Sequence, residues 1–86
     1  MPGVEEVKLH IAASVDDVDH AIVGMRAVID RLDEALTRLR LITVGSVHPR
    51  AAESIVRIEQ ARQKLAEAQT LALGGVEAAH AYRSIL

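Results

Sequence analysis

Aliphatic side chains recur through the first half of the chain in alternating steps of four and three: Ile11, Val15, Val18, Ile22, Met25, Ile29, Leu32, Leu36 and Leu39. This alternation averages about 3.5 residues per helical turn, which holds one stripe of a long helix against a partner helix. A further row, Ala21, Val28, Ala35 and Ile42, recurs every seven residues beside the stripe. Three apolar rows in each heptad make the wide face of a bundle helix, broader than the seam of a two-stranded coil. The pattern predicts a helix over 4–42, roughly 58 Å long at about 1.5 Å per residue. Ser14 followed by Asp17 offers a competing helix start. The heptad continuity of Val4, Ile11 and Val18 favours one uninterrupted helix.

The pattern breaks once, at Thr43-Val44-Gly45-Ser46-Val47-His48-Pro49. Gly45 suits the left-handed conformation that ends helices, and Pro49 suits the first position of a new one. Arg38 and Arg40 stand where cations complement the negative end of a helix dipole, and Glu5 and Glu6 where anions complement the positive end. His48, just before the proline, is read as capping the second helix. The turn is therefore placed at 43–48, with Gly45, Ser46, His48 and Pro49 as its defining residues.

The second helix is read as 49–84, with a stripe of Ile58, Ala61, Leu65, Ala68, Ala72, Gly75, Ala79, Tyr82 and Leu86. Its small side chains would form holes for the larger residues of the first helix. Glu34–Arg38 and Glu53–Arg57 are spaced as favourable surface pairs on their helices. Gly74-Gly75 opposes this helix, since each glycine costs about 1 kcal/mol relative to alanine. The pair marks either a close-packing point or kink, or a hinge that frees the last residues to repack on a partner. Two helices of nearly equal length fold back as an antiparallel hairpin. Centring the turn near residue 46 sets Met25 beside Glu67, Ile11 beside Ala81 and Leu39 beside Glu53.

The expected architecture is thus all-α: a single 1–86 helical-hairpin domain. Its packing interface is formed by the nine stripe residues of the first helix together with Ile58, Leu65, Ala72 and Tyr82. Two helices bury only a thin core, and domains of this size are marginal alone. Val56, Leu71, Leu73, Ile85 and part of the Ala21–Ile42 row remain unburied in the hairpin. Dimerisation to a four-helix bundle is the simplest way to cover them.

Composition narrows the function classes. Half of the residues are hydrophobic, yet Tyr82 is the only aromatic, so the large rings that line enzyme pockets or stack nucleic-acid bases are missing. A net charge of −2 argues against general phosphate-backbone binding. The absence of cysteine excludes disulfides and thiolate metal sites. No apolar run is long enough to span a membrane, and the acidic start Glu5-Glu6 is unlike a signal peptide. The expected location is the cytoplasm, with export of the folded hairpin without a signal peptide as the other route.

Candidate chemistry is sparse. His10 could approach His80 and Tyr82 at the open end of the hairpin, but a metal would need Glu5 or Glu6 as a third ligand, and the spacing lacks a paired-histidine motif. Asp16, Asp17 and Asp19 read as a solvated acidic patch. Arg26, Arg31, Arg38 and Arg40 alternate with Asp30, Asp33 and Glu34 as on a solvated helix surface. No phosphate loop or nucleophile–base spacing is present. No catalytic residue, cofactor or metal is assigned. Val44 and Val47, apolar residues at the turn, either tuck over the hairpin end or offer a contact point to a partner.

The long helix, mid-chain turn and second long helix resemble the W-x-G hairpin family of type VII secretion, although the turn reads Val44-Gly45-Ser46 without the family's tryptophan. The terminal Tyr82-Arg83-Ser84-Ile85-Leu86 also lacks the acidic residue of that family's export signal. Gly45-Ser46-Val47-His48-Pro49, the Ala61…Lys64-Leu65-Ala66-Glu67-Ala68 stretch and Ala81-Tyr82…Leu86 resemble small actinobacterial hairpin proteins and the hairpin modules of polymorphic toxins. The resemblance implies a non-enzymatic interaction or adaptor protein that pairs with itself or another helical hairpin and serves a secreted effector. A purely structural coiled-coil oligomerisation protein is the alternative. A nucleic-acid-binding hairpin dimer rests only on the arginines of the first helix.

Overall fold

The computed structural model describes residues 3–86, which form two long helices and the turn between them. Helix α1 spans Val4–Ile42 and α2 spans Pro49–Ile85. They pack side by side as an all-α hairpin measuring 64 × 18 × 15 Å. α1 runs without interruption through Ser14, so the heptad continuity prevails over the local capping signal.

The turn is built from local hydrogen bonds. The Leu39 carbonyl accepts from both the Thr43 amide at 3.0 Å and the Thr43 hydroxyl at 2.6 Å, closing the end of α1. Gly45 takes a positive φ of 78°, and the Ser46 amide donates to the Thr43 carbonyl at 2.9 Å. His48 caps α2: its Nδ1 accepts from the Arg50 amide at 3.1 Å, with Pro49 in the first turn. Ser46 Oγ in turn accepts from the His48 amide at 3.3 Å. A side chain at Gly45 would be strained by its backbone conformation, although nothing lies within 4 Å of the Cβ position.

The core is a single seam. On α1 only Val15, Ile29 and Leu36 are buried, with Ile29 and Leu36 at 3% and 2% exposure. These residues belong to one seven-residue row, centred on the contact. Ile11, Met25, Leu32 and Leu39, from the other row of the stripe, are half-buried, and Val18 is exposed at 36%. The contact is therefore centred on one edge of the predicted stripe.

On α2 the structure corrects the predicted face. Ala51, Ile55, Ile58, Arg62, Leu65, Gln69, Ala72, Val76 and Ala79 are half-buried and follow one another in steps of four and three. Ile58, Leu65, Ala72 and Ala79 lie where the sequence pattern put them. The neighbouring row is Ile55-Arg62-Gln69-Val76, replacing Ala61-Ala68-Gly75-Tyr82. Ala61, Gly75, Tyr82 and Leu86 are exposed, Tyr82 at 51%, while Ala68 is half-buried. The physical reason is the bidentate ion pair between Arg62 and Asp33. With its charge matched, Arg62 can occupy the seam and lay its aliphatic stem along it, while Ile55 and Val76 supply larger apolar side chains than Ala61 and Gly75.

A second ion pair joins the helices on the same side, with Arg40 reaching Glu59 at 3.1 Å.

Leu36→Ala is expected to lower stability by about 2–4 kcal/mol, because it opens a cavity in a seam with few other buried side chains. Ile29→Asp is expected to abolish folding, and Met25→Asp, at a half-buried position, to retain a transition that lies below that of wild type. Thermal melts followed by circular dichroism check all three.

Candidate docking face

The seam leaves the two sides of the hairpin chemically unlike. On one side α1 carries the row Asp19, Arg26, Asp33 and Arg40, and both inter-helix ion pairs, Asp33–Arg62 and Arg40–Glu59, form there. The Arg62 guanidinium donates to both Asp33 oxygens, one bond measuring 3.2 Å. This hydrogen bonding holds the Asp33 carboxyl below its ordinary 3.8, although partial desolvation opposes the shift. Arg62 is raised in turn by its bond to Asp33.

On the opposite side α1 carries Val7, Ser14, Ala21, Val28, Ala35 and Ile42, and α2 carries Ser54, Ala61, Ala68, Gly75 and Tyr82. Each set repeats every seven residues, so each forms a row along its helix. Val7, Ser14 and Gly75 line one groove, which places the two rows on the same side of the molecule. None of these residues is charged. The row expected to face α1 is therefore part of an outer face continuous with the third apolar row of α1. Val28 is 45% exposed, Ala21 and Ile42 are exposed, and Ala35 is half-buried.

Toward the open end the face deepens into a groove of about 690 Å³. Val7, Ile11, Val15 and Val18 form one wall, and Ala72, Gly75, Val76 and Ala79 the other. His10 and Ser14 are its polar members. The groove exists because the residues of α2 facing it are small. A Cβ added at Gly74 or Gly75 would meet nothing within 4 Å, and α2 continues through both as regular helix. Within the hairpin, the glycine pair is therefore neither a close-packing site nor a break.

The extended shape leaves much surface in solvent. The hairpin exposes 6521 Å². A compact monomer of its 9.3 kDa mass would expose roughly 5,000 Å². The excess, roughly 1,500 Å², exceeds the ~800 Å² that each partner buries in a standard interface. The residues left over from the hairpin in the sequence pattern, Val56, Leu71, Leu73, Ile85 and much of the Ala21–Ile42 row, are exposed.

Elsewhere the candidate chemistry stays dispersed. His10 lies 3.9 Å from the Glu6 carboxylate, and the His20 Nδ1 is 2.8 Å from the Asp16 carbonyl oxygen. His80 lines a shallow depression with Glu5, Lys8, Arg83 and Ser84, while Tyr82 sits on the docking face. Among the described residues no group of three or more His, Cys, Asp and Glu side chains converges on a metal-sized site. No helix is long and apolar enough to cross a membrane among the described residues. Val44 and Val47 do not fold over the end of the hairpin; both are exposed, Val47 at 98%. Glu53 and Arg57 pair at 3.1 Å, whereas Glu34 and Arg38 make no ion pair among the described residues.

The sequence pattern missed the Asp33–Arg62 pair. Its signal is the seven-residue row Ile55-Arg62-Gln69-Val76, whose single cation requires an anion across the seam.

Acidification tests that pair. Because the folded carboxyl titrates below the unfolded one, its contribution is fully present above the unfolded value and is lost as pH falls through the folded value, below about pH 4. Asp33→Asn is expected to be less stable than wild type at pH 7, with the gap closing as pH falls below about 4. Urea melts across that range measure the gap.

Comparison of the chain with protein-family models, with curated proteins and with solved structures finds no match.

Proposed function

We propose that this chain is a non-enzymatic helical-hairpin interaction protein that docks through its uncharged side onto a second copy of itself, forming a four-helix bundle. The observation that carries this reading is the face itself: two uncharged rows running beside a thin seam, on a molecule exposing far more surface than its mass requires. A bundle of two hairpins gives each helix a second apolar neighbour and completes cores that one seam leaves half open. The non-enzymatic reading rests on the lining of the groove, where His10 and Ser14 stand alone among aliphatic residues and small holes.

An adaptor or pairing role for a secreted effector, in a type VII-like or toxin system, is the biological setting we assign. It is supported by the resemblance of the hairpin layout and of the Gly45–Pro49 turn to such modules. A secretion ATPase or toxin domain encoded beside this gene is the expected genomic context. A gene standing apart from any such neighbour supports the purely structural oligomerisation reading.

Sedimentation equilibrium is expected to show a dimer at micromolar concentration. Val28→Asp is expected to shift the chain toward monomer by about tenfold or more in dissociation constant, since it would bury an unpaired charge in the interface while remaining tolerable in the isolated hairpin. Val23→Asp, exposed at 70% and off the face, serves as the control and should leave the dimer unchanged. A wild-type monomer at tens of micromolar would overturn the proposal.

A further inference from the structure

Bordering the uncharged face is an outer row on each helix. On α1 it reads His10, Asp17, Gly24, Arg31 and Arg38; on α2 it reads Arg57, Lys64, Leu71, Ala78 and Ile85. All ten are exposed. Among the described residues, Asp17, Arg31 and Arg38 make no ion pair within the hairpin. The row is basic toward the turn and holds its one acid, Asp17, toward the open end.

Two identical hairpins can stack face to face in two symmetric ways. With both turns at the same end, α1 lies on the partner's α2. Both outer rows are basic toward the turn, so the Arg31 and Arg38 stretch then lies on the Arg57 and Lys64 stretch of the partner's α2. Arg57 and Lys64 pair with Glu53 and Glu67 on their own helix, so Arg31 and Arg38 meet no unpaired acid in that row. With the turns at opposite ends, α1 lies antiparallel on the partner's α1. Centred on Gly24, this arrangement sets Arg31 opposite the partner's Asp17 and Arg38 opposite the partner's His10. Arg57 and Lys64 then lie toward the Ala78–Ile85 end of the partner's α2, so the like charges separate. The uncharged rows lie side by side in this alignment, with Val28 beside Ala21, Ala35 beside Ser14 and Ile42 beside Val7, each one residue off level.

Gly24 supplies an independent observation. It sits near the middle of the 39-residue α1, is exposed, and has nothing within 4 Å of its Cβ position. Glycine weakens a helix at such a site, and nothing within the hairpin calls for it. At a two-fold axis, where two α1 backbones cross, the missing side chain permits close approach.

We infer that the second copy docks with its turn at the opposite end, α1 on α1, with the two-fold axis at Gly24 and reciprocal Asp17–Arg31 ion pairs. This rests on the homodimer reading above and specifies its geometry. Like-charge avoidance selects the orientation, and the Asp17–Arg31 pairs set the register.

Charge exchange and cross-linking test it in the full chain. Asp17→Arg and Arg31→Asp are each expected to weaken the dimer by about tenfold, and the double exchange to restore most of that loss. Both residues are exposed, so circular dichroism should show unchanged helices. Because the chain has no cysteine, Gly24→Cys should oxidise to a single disulfide-linked dimer at low concentration. The other stacking predicts different results: Arg31→Asp would tighten the dimer by placing an acid on the basic stretch of the partner's α2, and Gly24→Cys alone would not cross-link. Such a result, or a dimer insensitive to both charge changes, overturns the orientation while leaving the homodimer reading intact. A wild-type chain that sediments as a monomer overturns both.

Discussion

Among the described residues the tertiary contacts run along one seam between α1 and α2, because two helices laid side by side can each bury only one stripe. Among the described residues three side chains, Val15, Ile29 and Leu36, are buried there, all from α1. The rest of the seam is half-covered, with one flank open to solvent. This geometric limit explains why the fold depends so heavily on details elsewhere: the capped turn, the inter-helix ion pairs, and the small residues of α2. It also explains why so much apolar surface remains outside.

The ion pair of Asp33 with Arg62 distributes that surface. By neutralising the one cation in the α2 seam, it lets the Ile55-Arg62-Gln69-Val76 row face α1 and turns the Ala61-Ala68-Gly75-Tyr82 row outward. The outward row then continues the Ala21–Ile42 side of α1. The hairpin therefore presents small residues along its outer side. Partly exposed ion pairs of this kind add little net stability, and this one acts together with the larger apolar side chains of Ile55 and Val76 in the same row.

The elements themselves were legible in the residues. The helix limits, the positive-φ glycine, the histidine cap and the proline at the start of α2 are local properties, and each was readable from a few neighbouring side chains. The α1 stripe was also legible, although its burial is skewed so that Val15, Ile29 and Leu36 are covered while Val18 is not. The α2 face was not. Small residues fit either a seam or an outer face, and an arginine argues against burial until its counter-ion is known. Asp33 lies 29 positions from Arg62 in the chain, and no local rule connects them.

The residues alone therefore determine two amphipathic helices and the place where the chain reverses, because periodicity and capping act within a few turns. Rotation of α2 about its own axis, its register along α1, and the identity of the uncovered side were decided only when the helices met. Those choices depend on pairing charge and filling volume between distant positions, and two alternating rows of α2 offered nearly equal apolar patterns. The long stripe of α1 states that a partner helix must exist; the folded hairpin shows which rows that helix covers and which it leaves for another.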